Sequence, residues 1–481
     1  MANYKIAKRM KIAGRQEEIA LLKNLLKKEE SSFVAMYGRR RVGKTYLIRQ
    51  VYQSEIVFEC SGVLGKKMEQ QLENFWRSLH EINPQAQLPP KTWIEAFFQL
   101  RAYLNRQKQT TKKVIFLDEI SWFETPRSGF LAALDNFWNQ FCSRRNDIIL
   151  VICGSAASWI INKVVNNKGG LHNRITNQLL LMPITLGETK AFFELNKVNL
   201  TLKDIAEIYM CVGGVPFYLK DIKAGNSVPQ ILNQLFYQKQ AILKNEFQNL
   251  YAALFKNNTV HEKIVEALAA KNKGLTRNEI IKATGIKGGG GLTTALEELT
   301  QCGFIMPIYP VKKAKEDCLY RLIDEYSLFY FKVLKSSKTK SSWAQITESQ
   351  GYKIWSGYAF ENLCFKHTLQ IKKALGISGI VTNEYSYAAK SKTNKQGIQI
   401  DMIIDRADNC LNIIEAKFHN TEFEVSEAYA RQVLHKATIF KEQTGLKKNV
   451  FITMLSVFGV KKNQHYLTAV TNQLLLDDLF T

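Results

Sequence analysis

The sequence predicts an α/β multidomain chain, and three observations lead there. Residues 38–45 read Gly-Arg-Arg-Arg-Val-Gly-Lys-Thr, set between a strand-like apolar run, 32–37, and a helix-like run, 46–51. Strand-sized apolar runs then alternate with helix-patterned stretches through residues 1–190, as a parallel sheet covered by helices requires. In the last third, the runs 397–404 and 411–417 flank a polar turn and carry Asp401, Glu415 and Lys417.

Bulk properties bound the answer. At 481 residues the chain exceeds a single core, and 46% hydrophobic with 23% charged residues describes a globular protein. No apolar run approaches the ~18 residues of a membrane span, and the basic N-terminus lacks the apolar core of a secretory signal. The eight cysteines form no Cys-x-x-Cys pair, so a zinc site is not expected. They read as reduced core residues of a cytoplasmic protein. Lys plus Arg number 66 against 43 Asp plus Glu, a formal charge of +23. That excess fits a polyanionic partner such as DNA, or more plainly a solvated lysine-rich surface.

The loop at 38–45 has the spacing and the strand-to-helix context of a phosphate cradle. Gly38 and Gly43 let the backbone turn its N–H groups inward, and the following helix adds its positive end. Lys44 is expected to act on the β- and γ-phosphates of ATP, and Thr45 to ligate Mg²⁺. Arg39, Arg40, Arg41 and Val42 complete the loop; the arginines face either nucleotide, a neighbouring acidic surface or solvent. Roughly 70 residues on, the apolar run 114–117 enters Asp118 and Glu119. Asp118 is expected to hold Mg²⁺ and Glu119 to deprotonate the attacking water. The run 148–153 ends in Gly154 and Ser155, and Ser155 reads either as a γ-phosphate sensor or as a turn serine. Runs 55–60 and 178–182 supply two more strands, and 68–80 and 130–141 read as helices.

These motifs, with Gly14, Arg15, Gln16, Glu17 and Glu18 near the start and Gly213, Gly214, Val215 and Pro216 further on, resemble the archaeal-type ATPase family. That family lies in the STAND branch of P-loop ATPases, related to AAA+ proteins. The resemblance implies a P-loop NTPase sheet over 1–190 and a helical lid over 191–255, with Pro216 near bound nucleotide. It further implies an arginine after the fourth strand. Arg174 is the candidate, preceded by Asn173 where the family usually has Gly, with a surface arginine as the alternative. STAND relatives also imply controlled assembly, here as a homo-oligomer.

Residues 256–340 read as a winged helix-turn-helix. A helix at 261–270 is followed by a Thr276/Glu279 capping box, a helix closed by Gly285, and a third helix at 292–302. Strands at 304–306 and 320–322 flank a wing with Lys312, Lys313 and Lys315. DNA binding is one reading. A structural lid is the other, because Glu297 and Glu298 on the third helix repel phosphate.

Over 341–481 the two runs form a hairpin that brings Asp401 and Glu415 together, with Lys417 on the same strand face as Glu415. Two carboxylates suit Mg²⁺ or Mn²⁺, and a lysine can position water and stabilise charge on phosphorus. A surface ion pair between Glu415 and Lys417 is the plainer alternative. The pattern resembles the PD-(D/E)xK core of restriction-endonuclease-like domains. On that resemblance Glu361 is the acidic residue of the first helix, while Arg431 and Gln432 on a helix over 427–440 face phosphate. The expected function is an ATP-hydrolysing switch whose nucleotide state controls DNA binding or metal-dependent DNA cleavage. The alternatives are a non-cleaving ATP-dependent DNA-binding regulator and a signalling switch with a protein partner.

Overall fold

The computed structural model describes residues 12–85, 88–107, 111–165, 173–255, 258–309, 318–335, 343–347, 349–390 and 397–481. The chain divides into two compact units, Met1–Pro183 and Ile184–Thr481.

The first unit is built on five parallel strands: β1 (Ser32–Tyr37), β2 (Ile56–Ser61), β3 (Lys113–Asp118), β4 (Ile148–Gly154) and β5 (Asn177–Leu180). Their order is β2-β3-β4-β1-β5. Every residue of β1, β3 and β4 is buried, which explains why these strands are continuous apolar runs and not alternating ones. Helices α1 (Gln16–Leu25), α2 (Lys44–Val51), α3 (Met68–Ile82), α4 (Trp93–Asn105) and α5 (Phe130–Gln140) accompany the sheet. Aromatic rings join three of them: Phe75 of α3 meets Phe97 of α4 at 5.7 Å, and Trp93 of α4 meets Phe130 of α5 at 4.9 Å. Because β1, β3 and β4 are neighbours and parallel, their carboxyl ends open on one edge. Tyr37 lies beside Gly154, and Leu117 beside Ile152.

The second unit opens with capped helices. In α6 (Leu186–Leu195) Thr185 and Glu188 exchange cap bonds, and Thr201 with Asp204 does the same for α7 (Leu202–Val212). Three helices follow, α8 (Asn258–Ala270), α9 (Arg277–Thr284) and α10 (Gly290–Gln301), with the short strands β6 (Leu275–Thr276), β7 (Ile305–Ile308) and β8 (Leu319–Leu322). These strands form an antiparallel sheet in the order β6-β8-β7. The Thr276/Glu279 capping box is present, and Gly285 ends α9 at φ 68°. The wing lysines Lys312, Lys313 and Lys315 lie outside the described residues. Glu298, expected to repel phosphate, pairs with His261 of α8 at 2.7 Å.

The chain closes with α11 (Gln350–Lys366), α12 (Glu427–Thr444) and the strands β9 (Thr382–Lys390), β10 (Gly397–Arg406), β11 (Cys410–Lys417), β12 (Asn449–Ser456) and β13 (Asn472–Leu475). Their sheet runs β13-β12-β11-β10-β9, with β9, β10 and β11 antiparallel and β11, β12 and β13 parallel.

His367, just past α11, is 1% exposed. Its Nε2 accepts from the Leu186 N–H at 3.0 Å, and its Nδ1 donates to the Leu363 carbonyl at 2.8 Å. Burial, helped by the neighbouring Lys366 charge, pushes its pKa down from 6.5 to about 4. The folded unit therefore binds fewer protons than the unfolded chain between those two values. This contribution to stability is complete above pH 6.5 and is lost as pH falls through about 4. A shift of that size corresponds to about 3 kcal/mol. His367→Gln can still accept from Leu186, and should show a flatter acid limb in unfolding titrations from about pH 7 to about pH 4.

Candidate functional site

The carboxyl edge of the first sheet gathers the predicted nucleotide residues. Gly38 has φ 144° and Gly43 φ 94°, both in the region that favours glycine. A Cβ on Gly38 would stand 2.2 Å from the Leu181 carbonyl oxygen, so the loop passes too close to the end of β5 for any side chain. Lys44 begins α2 and is buried; its ammonium donates to the carbonyls of Gly38 and Arg39, both at 2.9 Å. Phosphate oxygens would offer that ammonium charged acceptors in place of neutral ones. Arg39 is buried, Arg40 exposed, Arg41 intermediate at φ 71°, and Val42 belongs to the apolar core.

Thr45 donates from Oγ to Asp118 Oδ2 at 2.6 Å. A hydroxyl and a carboxylate brought together beside a phosphate cradle form an all-oxygen donor set, which fits Mg²⁺. The other Asp118 oxygen accepts the Glu119 N–H at 2.9 Å. Glu119 sits at φ 46°, ψ 48°, a left-handed conformation unusual for a glutamate. That turn sends its carboxylate to Ser155, whose Oγ donates to Glu119 Oε2 at 3.0 Å and whose N–H lies at 3.4 Å. Ser155 thus takes a partner that neither of its sequence readings named. It holds Glu119, the residue expected to handle the water. Ser155→Ala should reduce turnover about 10-fold or more without changing nucleotide affinity, since bonds to charged groups contribute about 1.5–3 kcal/mol. Phosphate-release kinetics and a nucleotide titration would separate the two effects.

Arg15 belongs to the opening motif of the ATPase resemblance, which that resemblance places near the adenine. It is buried, in a left-handed conformation at φ 60°, and its guanidinium reaches the carbonyls of Val42 and Met182 and, at 3.3 Å, the Glu18 carboxylate. It therefore braces the loop from behind.

Arg174 is a correction. It is exposed and lies three residues ahead of Asn177, which pairs with Val34, while the Thr176 N–H donates to the Phe33 carbonyl. It therefore stands at the amino edge of the sheet, some ~20 Å of strand length from the loop after β1. The sheet does not bring it to the nucleotide edge of its own chain. Pro216 begins a four-residue helix, Pro216–Leu219, in the second unit. The two glycines before it have their own local reasons. Gly213 has φ 66°, and a Cβ on Gly214 would stand 1.8 Å from the Ile184 carbonyl oxygen.

In the second unit, β10 and β11 pair Met402 with Ile414 and Ile403 with Ile413. Continuing that register by one residue sets Asp401 opposite Glu415, on one face of the sheet. Glu361 on α11 is close enough for the Asp401 charge to act on it. Burial first, and Asp401 second, push the Glu361 pKa up to about 8. Burial and then Glu415 raise Asp401.

The expected metal site needs correction here. The Glu415 carboxylate is fully buried and already occupied: Lys436 donates to Oε1 at 2.6 Å and the Tyr429 hydroxyl to Oε2 at 3.0 Å. Lys417, the predicted partner, stands off at 3.6 Å. Glu361 faces Arg321 at 3.4 Å. Among the described residues no group of three or more His, Cys, Asp or Glu side chains is disposed to hold a metal ion. Asp401 and Glu415 as arranged therefore do not fit Mg²⁺ or Mn²⁺. Arg431 and Gln432 are exposed, and Arg431 pairs with Glu427 at 3.1 Å. The inward face of α12 carries Tyr429, Val433 and Lys436 instead, a spacing of four and three that the sequence did offer. Arg321 also left a signal, as an arginine inside an otherwise apolar short strand.

No helix among the described residues is long and apolar enough to cross a membrane. A family model described as an ATPase domain predominantly from Archaea matches residues 12–222. Over 368 residues the chain is 27% identical to an uncharacterized protein of Methanocaldococcus jannaschii, covering 75% of this chain and 77% of the relative. Among solved structures it is similar to a Walker-type ATPase of Pyrococcus abyssi, with TM-score 0.48 and 16% identity over 68% of this chain and 99% of that one. It is also similar to the ORC2 protein of Aeropyrum pernix, with TM-score 0.40 and 17% identity over 68% of this chain and 95% of that one. Residues 12–222 are an archaeal-type ATPase domain, built on a parallel five-stranded sheet with a phosphate-binding loop at its carboxyl edge.

Proposed function

We propose that the chain is an ATP-hydrolysing switch that acts on DNA through its second unit. The hydrolytic half of this reading rests on one arrangement: Thr45 against Asp118, with Glu119 turned toward Ser155. In it, Lys44 and the loop N–H groups hold the phosphates, Thr45 and Asp118 hold Mg²⁺, and Glu119 takes the proton of the attacking water. The DNA half is supported by the +23 charge and by Asp401 and Glu415 meeting across two strands beside Lys417. Residues 191–255 are the lid in this reading, 256–340 a winged helix, and 341–481 a restriction-endonuclease-like module.

Because Glu415 is held by Lys436 and Glu361 faces Arg321, the reading in its simplest form is nucleotide-controlled DNA binding without cleavage. Fluorescence anisotropy of a labelled duplex tests it, comparing ADP and ATP states of the wild type with Lys44→Ala. Nucleotide-dependent affinity that falls steeply with salt, and that Lys44→Ala makes insensitive to nucleotide, is the expected result. No affinity for duplex or single strands in any state would sink the DNA half and leave a switch acting on a protein partner. A plasmid-nicking assay with Mg²⁺ or Mn²⁺ then asks whether cleavage is added to binding.

A further inference from the structure

Helices α8 and α9 leave an open groove of about 620 Å³ between them. On α8 its wall is Lys263, Glu266, Ala267 and Ala270, and on α9 it is Glu279, Lys282 and Ala283, each set recurring at helical spacings of three and four. Leu275 of β6, only 4% exposed, adds to the lining. Alanine side chains stop at Cβ, so Ala267, Ala270 and Ala283 present apolar surface without filling the space between the helices. The charges around the groove are unevenly committed. Glu266 pairs with Lys335, and Glu279 accepts the N–H of Thr276 at 2.8 Å and its hydroxyl at 3.0 Å. Lys263, Lys271 and Lys282 are exposed, and among the described residues their ammonium groups make no ion pair. The groove therefore offers an apolar lining edged by uncommitted positive charge.

We propose that this groove is the docking seat for an acidic amphipathic helix of a protein partner. The helix lays its apolar stripe on Ala267, Ala270, Leu275 and Ala283 and sets its Asp and Glu side chains against Lys263, Lys271 and Lys282. The proposal goes beyond the DNA reading and does not depend on it. Small residues on both walls let a third helix come to the short end of the usual separation of about 8–10 Å between axes. Such a helix meets its groove through side chains at i, i+3, i+4 and i+7, the same spacing that the two walls carry. Leucine-sized side chains fill what the alanines leave, and their burial drives the association. The lysines select the sign of the flanking charge and speed encounter, an effect that fades with salt. A second copy of this chain is a poor occupant, because it brings the same +23 charge. Duplex DNA satisfies the lysines, but its phosphate and sugar exterior has no apolar stripe to lay on the alanines.

The test is a fluorescence-anisotropy titration of the full chain with a labelled helical peptide that carries Leu at i, i+3, i+4 and i+7 and Glu on both flanks. The comparison is the same peptide with every Leu replaced by Ala. The Leu peptide is expected to bind, and the Ala peptide to bind about tenfold or more weakly although its charge is unchanged. Ala283→Trp fills the groove from an exposed position and should weaken the Leu peptide about tenfold or more. Lys263→Glu with Lys282→Glu should do the same by reversing the charge at its edge. ATP turnover equal to that of the wild type shows that both variants fold. Equal binding of the two peptides, or no binding of either, overturns the proposal. Leu-dependent binding that neither variant weakens puts the seat elsewhere and overturns it too. A duplex-DNA affinity that falls with Ala283→Trp as far as the peptide affinity does would give the groove to DNA. Peptide binding that passes these tests stands even if the chain has no affinity for DNA in any nucleotide state.

Discussion

Glu119→Gln is expected to leave ATP binding intact and to cut turnover by about 10²–10⁴-fold, the usual worth of a positioned general base. The substitution keeps shape and removes only basicity. The amide oxygen of glutamine can still accept from Ser155, whose hydroxyl stands 3.0 Å from the glutamate, so the left-handed turn at φ 46° has no new reason to relax. Asp118 and Thr45 are untouched, and the Mg²⁺ donors with them. Steady-state phosphate release and a fluorescent-nucleotide titration, run on the same preparation, give the two numbers. Surviving turnover would remove Glu119 from its role and point to a water positioned by other groups. The contrast is Asp118→Ala, which breaks the 2.6 Å contact to Thr45 and should weaken Mg²⁺-nucleotide binding itself. If the variant at Glu119 holds ATP without hydrolysing it, it also supplies the stalled state in which DNA affinity is best measured.

The first unit was legible because its sequence signals are local. A phosphate loop needs a strand, two glycines, a lysine and a helix in one short stretch, and each is visible at 32–51. Fully buried parallel strands appear as unbroken apolar runs, so β1, β3 and β4 could be read without knowing their neighbours. What sequence could not supply was strand order. Whether Arg174 lies near the loop depends on which edge of the sheet the start of β5 occupies, and that is settled by the pairing of Asn177 with Val34. The Ser155 contact was hidden for a related reason. Two residues 36 positions apart meet only because β3 and β4 are adjacent.

In the second unit the carboxylates were legible and their partners were not. Asp401, Glu415 and Lys417 stand on neighbouring strands of one hairpin, and a hairpin's register can be counted. Lys436 and Arg321 reach the cluster from 21 and 40 residues away, along a helix and from another sheet. Periodicity shows that Lys436 shares a face with Tyr429, but not what that face covers. A buried charge in a sequence therefore announces that a partner exists without saying whether it is a metal ion or a side chain. Here the cations of the chain itself are the partners.

Lys436→Met should destabilise the protein by about 3 kcal/mol, because it leaves a buried carboxylate without its nearest cation. Glu415 is 0% exposed, and Lys436 donates to it at 2.6 Å from a side chain only 12% exposed. Tyr429 and the more distant Lys417 remain after the substitution, which argues for the lower end of the range for broken buried pairs. Removing both charges tells a different story. In Lys436→Met with Glu415→Gln no ion is stranded, and most of the loss should be recovered, since a buried pair replaced as a whole often costs little. Lys417→Met is the control; at 3.6 Å and 22% exposed, that lysine should matter by no more than about 1 kcal/mol. Thermal or urea unfolding of the wild type, Lys436→Met, Glu415→Gln and the double variant closes the cycle, with coupling energy as the readout. Strong coupling between positions 415 and 436 means that Lys436 is the structural counter-ion of Glu415 in the folded protein. Negligible coupling would mean that the 2.6 Å contact carries no net energy.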